Sequence, residues 1–312
     1  MKVGIDIMGG DFAPKATTLG SILAAKELPD NVRLVLIGDQ DQILPILEEN
    51  GGDTSMFDIV HTADVIEMGE HPAKAFAKKP KSSIGLGFHL LSKGEIDGFA
   101  SAGNTGAMLV GAMYTVKAVP GFIRPCISSV IPNITGGTSI LLDVGINADC
   151  KPDVLYQYGM VGSLFSETVY GIENPKVGLL NIGSEEEKGN LLSRSAHELM
   201  KDSADFNFIG NVEGTDLLSN TADVIVTDGF TGNVVLKEME AFYKAVRMRK
   251  IKDEYFDRFN FENYGGTPIL GINSNVIIGH GISNDKAIKN MILHTADVVE
   301  SQIVNRIKEI FQ

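Results

Sequence analysis

Short, nearly continuous apolar runs recur along this chain, and most are followed by a longer stretch with helical spacing. "VGIDIM" (3–8), "VRLVLIG" (32–38) and "FDIVHT" (57–62) read as strands, with helices over 14–27 and 41–49 between them. "SSIGLGFHLLSKG" (82–94) reads as a helix, "DGFASAG" (97–103) as a strand end, and 104–117 as a helix. "KVGLLNIG" (176–183), "FNFIGN" (206–211) and "DVIVTDG" (223–229) are strands; helices are expected over 153–170, 189–202 and, at the end, 284–311. Strands without polar alternation are covered on both faces, which predicts an α/β fold with a mostly parallel sheet. "CISSVIP" (126–132) and "TSILLDVG" (138–145) follow each other too closely for a crossover helix, so one inserted antiparallel hairpin is expected. The length supports a large core in one domain over 1–312, or in two intimate lobes around one crevice.

The 34 glycines, more than the average share of about 7%, sit just past strand ends. They lie in "MGGD", "IGD", "ASAGNTG", "LDVGIN", "NIGSEEEKGN", "IGNVEG" and "TDGFTGN", each with Asn, Asp, Ser or Thr beside them. Carboxyl ends of parallel strands form the ligand crevice of open α/β sheets. Glycine there lets backbone N–H groups approach an anion, and helix N-termini add a partial positive charge. Ordinary turn and cap chemistry explains any single one of these turns, with Asn104, Asn190 and Asn233 as helix caps. Seven at one edge favour an anion site.

The net charge of -13 argues against nucleic-acid binding, and any anion must be held by local donors. Two cysteines, Cys126 and Cys150, make no disulfide framework and suit a reducing cytoplasm as small buried hydrophobes. The start "MKVGIDIMGGDFAP" has no signal-peptide pattern, and no apolar run is long enough to span a bilayer. "GIDIMGGDFAP" lacks the dinucleotide-binding glycine fingerprint, and no phosphate-binding P-loop motif occurs. His61, His71, His89, His197, His280 and His294 show no paired spacing, so no metal site is expected. "FASAG" (99–103) mimics a nucleophile elbow around Ser101, but Phe99 replaces the first glycine and would obstruct the sharp turn.

"EEEK" (185–188) has two readings. In one, it is a solvated loop and Lys188 pairs with Glu185 three residues back. In the other, Gly183 and Gly189 let the loop turn Lys188 into the crevice, as a point charge for phosphate or a developing oxyanion.

Taken in order, "DIMGGDFAP", "ASAGNTGA", "LDVGIN", "NIGSEEEKGN", "GNVEG", "DGFTGN" and "NYGG…HGIS" resemble the bacterial phosphate acyltransferases of phospholipid synthesis, the acyl-ACP:phosphate transacylase (PlsX) family. The resemblance runs from Met1 to the C-terminal helix. It implies a large α/β/α sandwich like that of isocitrate and isopropylmalate dehydrogenases and phosphotransacetylase, and homodimers. The implied reaction moves a long-chain acyl group from acyl-ACP to inorganic phosphate, with no cofactor, and direct attack of phosphate on the thioester needs no protein nucleophile. By resemblance, Lys188 and Asn233 would be the leading catalytic residues. Ser101, Asn104 and Thr105 would cradle phosphate on their backbone amides. Asp143, Asn147, Asn190, Asn211, Glu213, Asp228 and His280 would line the same rim, with His280 as a proton shuttle for the leaving thiolate.

The family usually carries a longer, partly apolar helical stretch where this chain has "EMEAFYKAVRMRKIKDEYFDRFNF" (238–261). Within it, Tyr243, Val246, Ile251, Tyr255 and Phe259 can share a helical face. Lys244, Arg247, Arg249, Lys250, Lys252 and Arg258 make the segment basic in an acidic chain. Packing on its own domain or a dimer partner accounts for it, and so does a landing place for acidic ACP and anionic lipid. A cytoplasmic enzyme with peripheral membrane association would hand its product to a membrane glycerol-3-phosphate acyltransferase. Two other functions fit less well. A metal- and NAD-dependent decarboxylating dehydrogenase needs an arginine cluster, whereas Arg124 is isolated and Arg33 and Arg194 lie in different elements. A non-catalytic scaffold has no use for seven polar strand ends.

Overall fold

A computed structural model describes residues 1–311. The chain begins with β1 (Lys2–Asp6), α1 (Lys15–Ala25), β2 (Arg33–Gly38), α2 (Gln40–Glu49), β3 (Phe57–His61), α3 (Pro72–Lys78), α4 (Ser83–Lys93), β4 (Gly98–Ser101) and α5 (Thr105–Gly111). It continues with β5 (Cys126–Pro132), β6 (Thr138–Leu142), α6 (Pro152–Tyr170), β7 (Lys176–Leu180), α7 (Leu191–Met200), β8 (Asn207–Val212), β9 (Val224–Val226) and α8 (Gly229–Met248). It ends with α9 (Glu254–Asp257), β10 (Gly266–Leu270), β11 (Asn275–Gly279), α10 (Asp285–Glu300) and α11 (Ile303–Phe311). The residues form two compact units: Met1–Lys117 with Phe261–Glu300, and Ala118–Asn260 with the residues from Ser301 on.

In the first unit the strands run in the order β3-β2-β1-β4-β11-β10. All neighbours are parallel except the β10–β11 pair, with Gly266 opposite Gly279. Val3, Ile5, Leu36 and Phe99 are fully buried, and Phe88 of α4 meets Phe99 edge-on at 5.2 Å. Helix α1 lies hard against α10: a Cβ on Gly20 would sit 2.5 Å from Ile288. In the second unit the order is β5-β6-β9-β7-β8. β5 and β6 are antiparallel, with Ser128 opposite Leu142, and the rest are parallel. Leu141, Val224, Tyr158 and Phe165 are buried there.

The mostly parallel α/β reading holds, and β5–β6 is the expected hairpin. Three expectations need correction. "TPILGINSNVIIG" (267–279) forms a second antiparallel pair, β10–β11, that the strand reading passed over. The closing helix is two helices, because Gln302 takes a left-handed conformation (φ 56°) that ends the first. The basic segment is not one continuous helix either. Lys250 (φ 56°) ends α8, and Asp253 caps the short α9 anew. Its aromatic residues therefore do not share one face by helical spacing. Instead Tyr255 meets Phe259 edge-on at 5.4 Å, and the Tyr255 hydroxyl and Arg258 guanidinium donate to Pro132 and Asn133 carbonyls of the β5–β6 hairpin.

Candidate functional site

The predicted residues fall into two groups, one in each unit. In the first unit, Asp6 closes β1 as a buried carboxylate after Val3, Gly4 and Ile5. Ser101, at the end of β4, donates to Asp6 Oδ2 at 2.7 Å and accepts from the Gly103 amide at 2.9 Å. The Met8 amide donates to Asp6 Oδ1 at 3.1 Å. This carboxylate ties the loop after β1 to the loop after β4, and burial pushes its pKa up despite those hydrogen bonds. A Cβ on Gly9 would lie 2.3 Å from Asp6 Oδ2 and 2.7 Å from the Gly103 nitrogen, so glycine is required for the two loops to touch. Ser101 is completely buried, which removes it as a nucleophile. Asn104 caps α5 by accepting from the Ala107 amide, and its own amide donates to the carbonyls of Glu67, Met68 and Glu70. Its side chain is thereby fully used, while Thr105 is exposed. His280 follows β11, with its ring 4.7 Å from that of Phe261.

In the second unit, Asp143 is a buried hub past the end of β6. Its carboxylate accepts from the amides of Ile127, Gly145, Ile146 and Asn147 and from the Asn147 side chain. Asn147 also donates to the Pro125 carbonyl and to the Tyr158 hydroxyl. The first turn of α8 rests on this loop, with the Gly229 amide donating to the Asn147 carbonyl at 2.7 Å. Asp228, not Asn233, caps α8, accepting from the Thr231 amide and hydroxyl. Asn233 lies one turn further on and gives one amide hydrogen to the Val144 carbonyl at 3.0 Å. Among the described residues its second amide hydrogen has no such partner. Burial, with the Asp143 carboxylate next in weight, pushes the Cys126 thiol well up. The same causes, with Asp228 adding, push Cys150 up to about 11. Neither thiol is a ready thiolate.

The loop after β7 carries Lys188. Asn181, at the strand end, donates to the Lys188 carbonyl at 3.1 Å. Asn211, buried on β8, donates to the Glu185 carbonyl at 2.8 Å. The backbone is thus pinned at two points. Gly189 takes φ +93°, and a Cβ there would strike Asn181 and Ser193. The Lys188 stem packs over Gly183. Its ammonium stands 4.0 Å from Glu185 and is 46% exposed, so the pairing with Glu185 exists but is too long for a hydrogen bond. Glu213 and Asp216 close the short turn after β8 as a reciprocal capping pair, and Asn190 caps α7. Asp6 and Asn181 escaped the sequence reading. Asp6 is the charged residue inside the apolar run "VGIDIM", and Asn181 ends the run "VGLL"; those positions carry the signal.

Asn190 and Asp228 meet at a half-open pocket of about 250 Å³ at the carboxyl ends of β7 and β9, lined by four leucines and Ile182 together with Asn181, Ser193, Thr227 and Thr231. Among the described residues, no three His, Cys, Asp or Glu side chains converge as metal ligands. No helix of the described residues is long and apolar enough to cross a membrane.

Comparison with known proteins agrees with the resemblance. A family model described as "Fatty acid synthesis protein" matches residues 1–306. The chain is 40% identical to a phosphate acyltransferase of Dictyoglomus thermophilum over 328 aligned positions, covering 99% of this chain and 97% of that one. It is 39% identical to a phosphate acyltransferase of Bacillus cereus, covering 100% and 98%. The alignments exceed 312 positions, so this chain lacks residues that those relatives have. Among solved structures, a phosphotransacetylase from Streptococcus pyogenes superposes with a TM-score of 0.67 at 16% identity, over 96% of this chain and 94% of that one. That likeness bears on the fold alone. The family match and the two full-length relatives place this chain in the fatty acid synthesis protein family, as an acyltransferase that works with phosphate.

Proposed function

We propose that this enzyme transfers a long-chain acyl group from acyl-ACP to inorganic phosphate, giving acyl phosphate for phospholipid synthesis, within the isocitrate-dehydrogenase-like group of α/β enzymes. The observation that carries the reading is Lys188: a half-exposed ammonium on a loop whose backbone is pinned by two asparagines, with no hydrogen bond spent on Glu185. Such a cation stabilises charge that develops on a thioester carbonyl as phosphate attacks, and a donor of that kind is typically worth about 2.7–4 kcal/mol. Asn233, which among the described residues gives only one amide hydrogen away, serves the same task with the other.

In the proposed step an unprotonated oxygen of HPO4²⁻ forms the new C–O bond, and the C–S bond breaks as the tetrahedral intermediate collapses. The phosphate proton ends on the thiol sulfur, so no outside base is consumed. The buried Ser101 and the two suppressed thiols support direct attack over an acyl-enzyme. A homodimer is part of the reading. So is an acidic carrier protein or anionic membrane docking at Lys244, Arg247, Arg249, Lys250 and Lys252, since an acidic chain needs a local basic landing place. The deciding experiment mixes the protein with palmitoyl-ACP and phosphate and follows acyl phosphate by hydroxylamine trapping. Absence of acyl hydroxamate above a no-enzyme control refutes the proposal.

A further inference from the structure

We infer that the pocket beside the Lys188 loop holds the first carbons of the donor's acyl chain against its apolar wall, so that it is a hydrocarbon subsite and not the phosphate site. This rests on the acyl-transfer reading above. Its walls are Leu155, Leu179, Leu180 and Leu192, with Ile182 at the mouth. Ile182 is 82% exposed, and a hydrocarbon chain lying over it would remove that apolar surface from water.

Three of the polar side chains at the rim are engaged within the chain. Asp228 accepts from Thr231, Asn190 accepts from Ser193, and Asn181 holds the Lys188 carbonyl. No lysine or arginine lines the pocket. A phosphate placed there would meet a carboxylate and two helix N-termini whose caps are already in place, whereas a methylene chain needs no donor. Gly189, the residue after Lys188, forms part of the wall, so a chain lodged in the pocket would have its carbonyl end beside the lysine loop.

The volume sets how much chain is read. A methylene takes about as much room as a water molecule in the liquid, about 30 Å³. A pocket of about 250 Å³ therefore admits roughly eight. Each buried methylene contributes about fourfold in kcat/KM, the equivalent of about 0.8 kcal/mol. Specificity should thus climb with chain length and then level off near eight carbons.

The test measures kcat/KM with phosphate for a series of saturated acyl thioesters from two to sixteen carbons, on ACP and on coenzyme A. Wild type should show the rise and the plateau. Leu192→Trp, which fills the pocket, should lower the eight-carbon to two-carbon ratio at least tenfold. Leu192→Ala, which enlarges it, should move the plateau to longer chains, and it decides the matter if the tryptophan variant does not fold. A flat wild-type profile, or a profile unchanged in the folded variants while transfer proceeds, overturns the pocket assignment and leaves acyl transfer standing. No acyl phosphate from any donor overturns the functional reading, and the pocket assignment falls with it.

Discussion

Replacing Lys188 by alanine separates the two roles its loop allows. Its one ion pair among the described residues spans 4.0 Å between side chains 46% and 57% exposed. Exposed pairs of this kind contribute about 0–1 kcal/mol, and here the length puts the value at the low end. The stem leaves some contact over Gly183, but no buried group loses a partner. Lys188→Ala should therefore change stability by no more than about 0.5 kcal/mol, a shift in Tm within about 2 °C. Loss of a charge-stabilising donor, by contrast, costs about 2.7–4 kcal/mol in the transition state, roughly a hundred- to a thousandfold in kcat. The assay is steady-state acyl phosphate formation beside a thermal melt of the same preparation. A variant with native Tm and activity within twofold of wild type would return Lys188 to the status of a solvated loop residue. A large loss of Tm would show that the loop does structural work the hydrogen bonds do not account for.

Asn211→Ala removes the hydrogen bond that pins Glu185. Freeing the loop by about 1 kcal/mol should lower kcat roughly fivefold with little change in KM for phosphate, and an unchanged kcat would refute the pinning role. Gly232→Ala places a Cβ 1.9 Å from the Asp143 carbonyl oxygen; the clash should outweigh alanine's helix preference of about 1 kcal/mol and destabilise by about 2 kcal/mol or more, read by denaturant unfolding. Burial lowers the pKa of His294 from 6.5 to about 4. The unfolded chain then takes up this proton first as pH falls, so stability should be lost from about pH 6.5 down to about 4, by up to about 1.4 kcal/mol per pH unit, and His294→Asn should flatten that slope. Asp6, whose raised pKa lets the native state bind its proton first, works in the opposite direction at the acid end. Intact-mass analysis with acyl-ACP and no phosphate should find no acyl adduct on Ser101, Cys126 or Cys150; a stoichiometric adduct on any of them would sink direct transfer.

The parts of the fold that could be read from sequence are those where one local rule acts alone. Apolar runs such as "VRLVLIG" have no alternation because both faces are covered, and the parallel strands follow. The β5–β6 hairpin follows from a gap too short for a helix. The β10–β11 pair had a similar signal in "GINSN" between two apolar runs, but Pro268 within the first run weakens a strand reading. Neither break, at Lys250 or at Gln302, has a glycine to mark it. A lysine and a glutamine enter the left-handed region there, where the elements on either side supply what the local sequence disfavours. Periodicity carries straight through such a point, which is why 284–311 reads as one helix and is two.

The candidate site was legible in residue type and illegible in use. Asn104 and Asn190 cap α5 and α7, Asp143 and Asn147 follow β6, and Asn211 lies near the end of β8. Asp143 accepts five hydrogen bonds from its own loop and its neighbour strand, and Asn104 uses both ends of its amide on the chain. These side chains shape the loops. A turn that must bring backbone amides to an anion needs its carbonyls and caps satisfied from within, and Asn and Asp do this best. The same composition therefore appears whether a residue touches a ligand or holds the loop that does. What separates them is unspent hydrogen-bonding capacity. Among the described residues, Lys188 has its charge half in water, Asn233 gives only one amide hydrogen, to Val144, and the buried Asn211 Oδ1 has no partner. Sequence cannot show that remainder, because it depends on which carbonyl each neighbour offers after folding. It also moves the weight of the site from the many residues of the rim to the few whose donors remain free for a substrate.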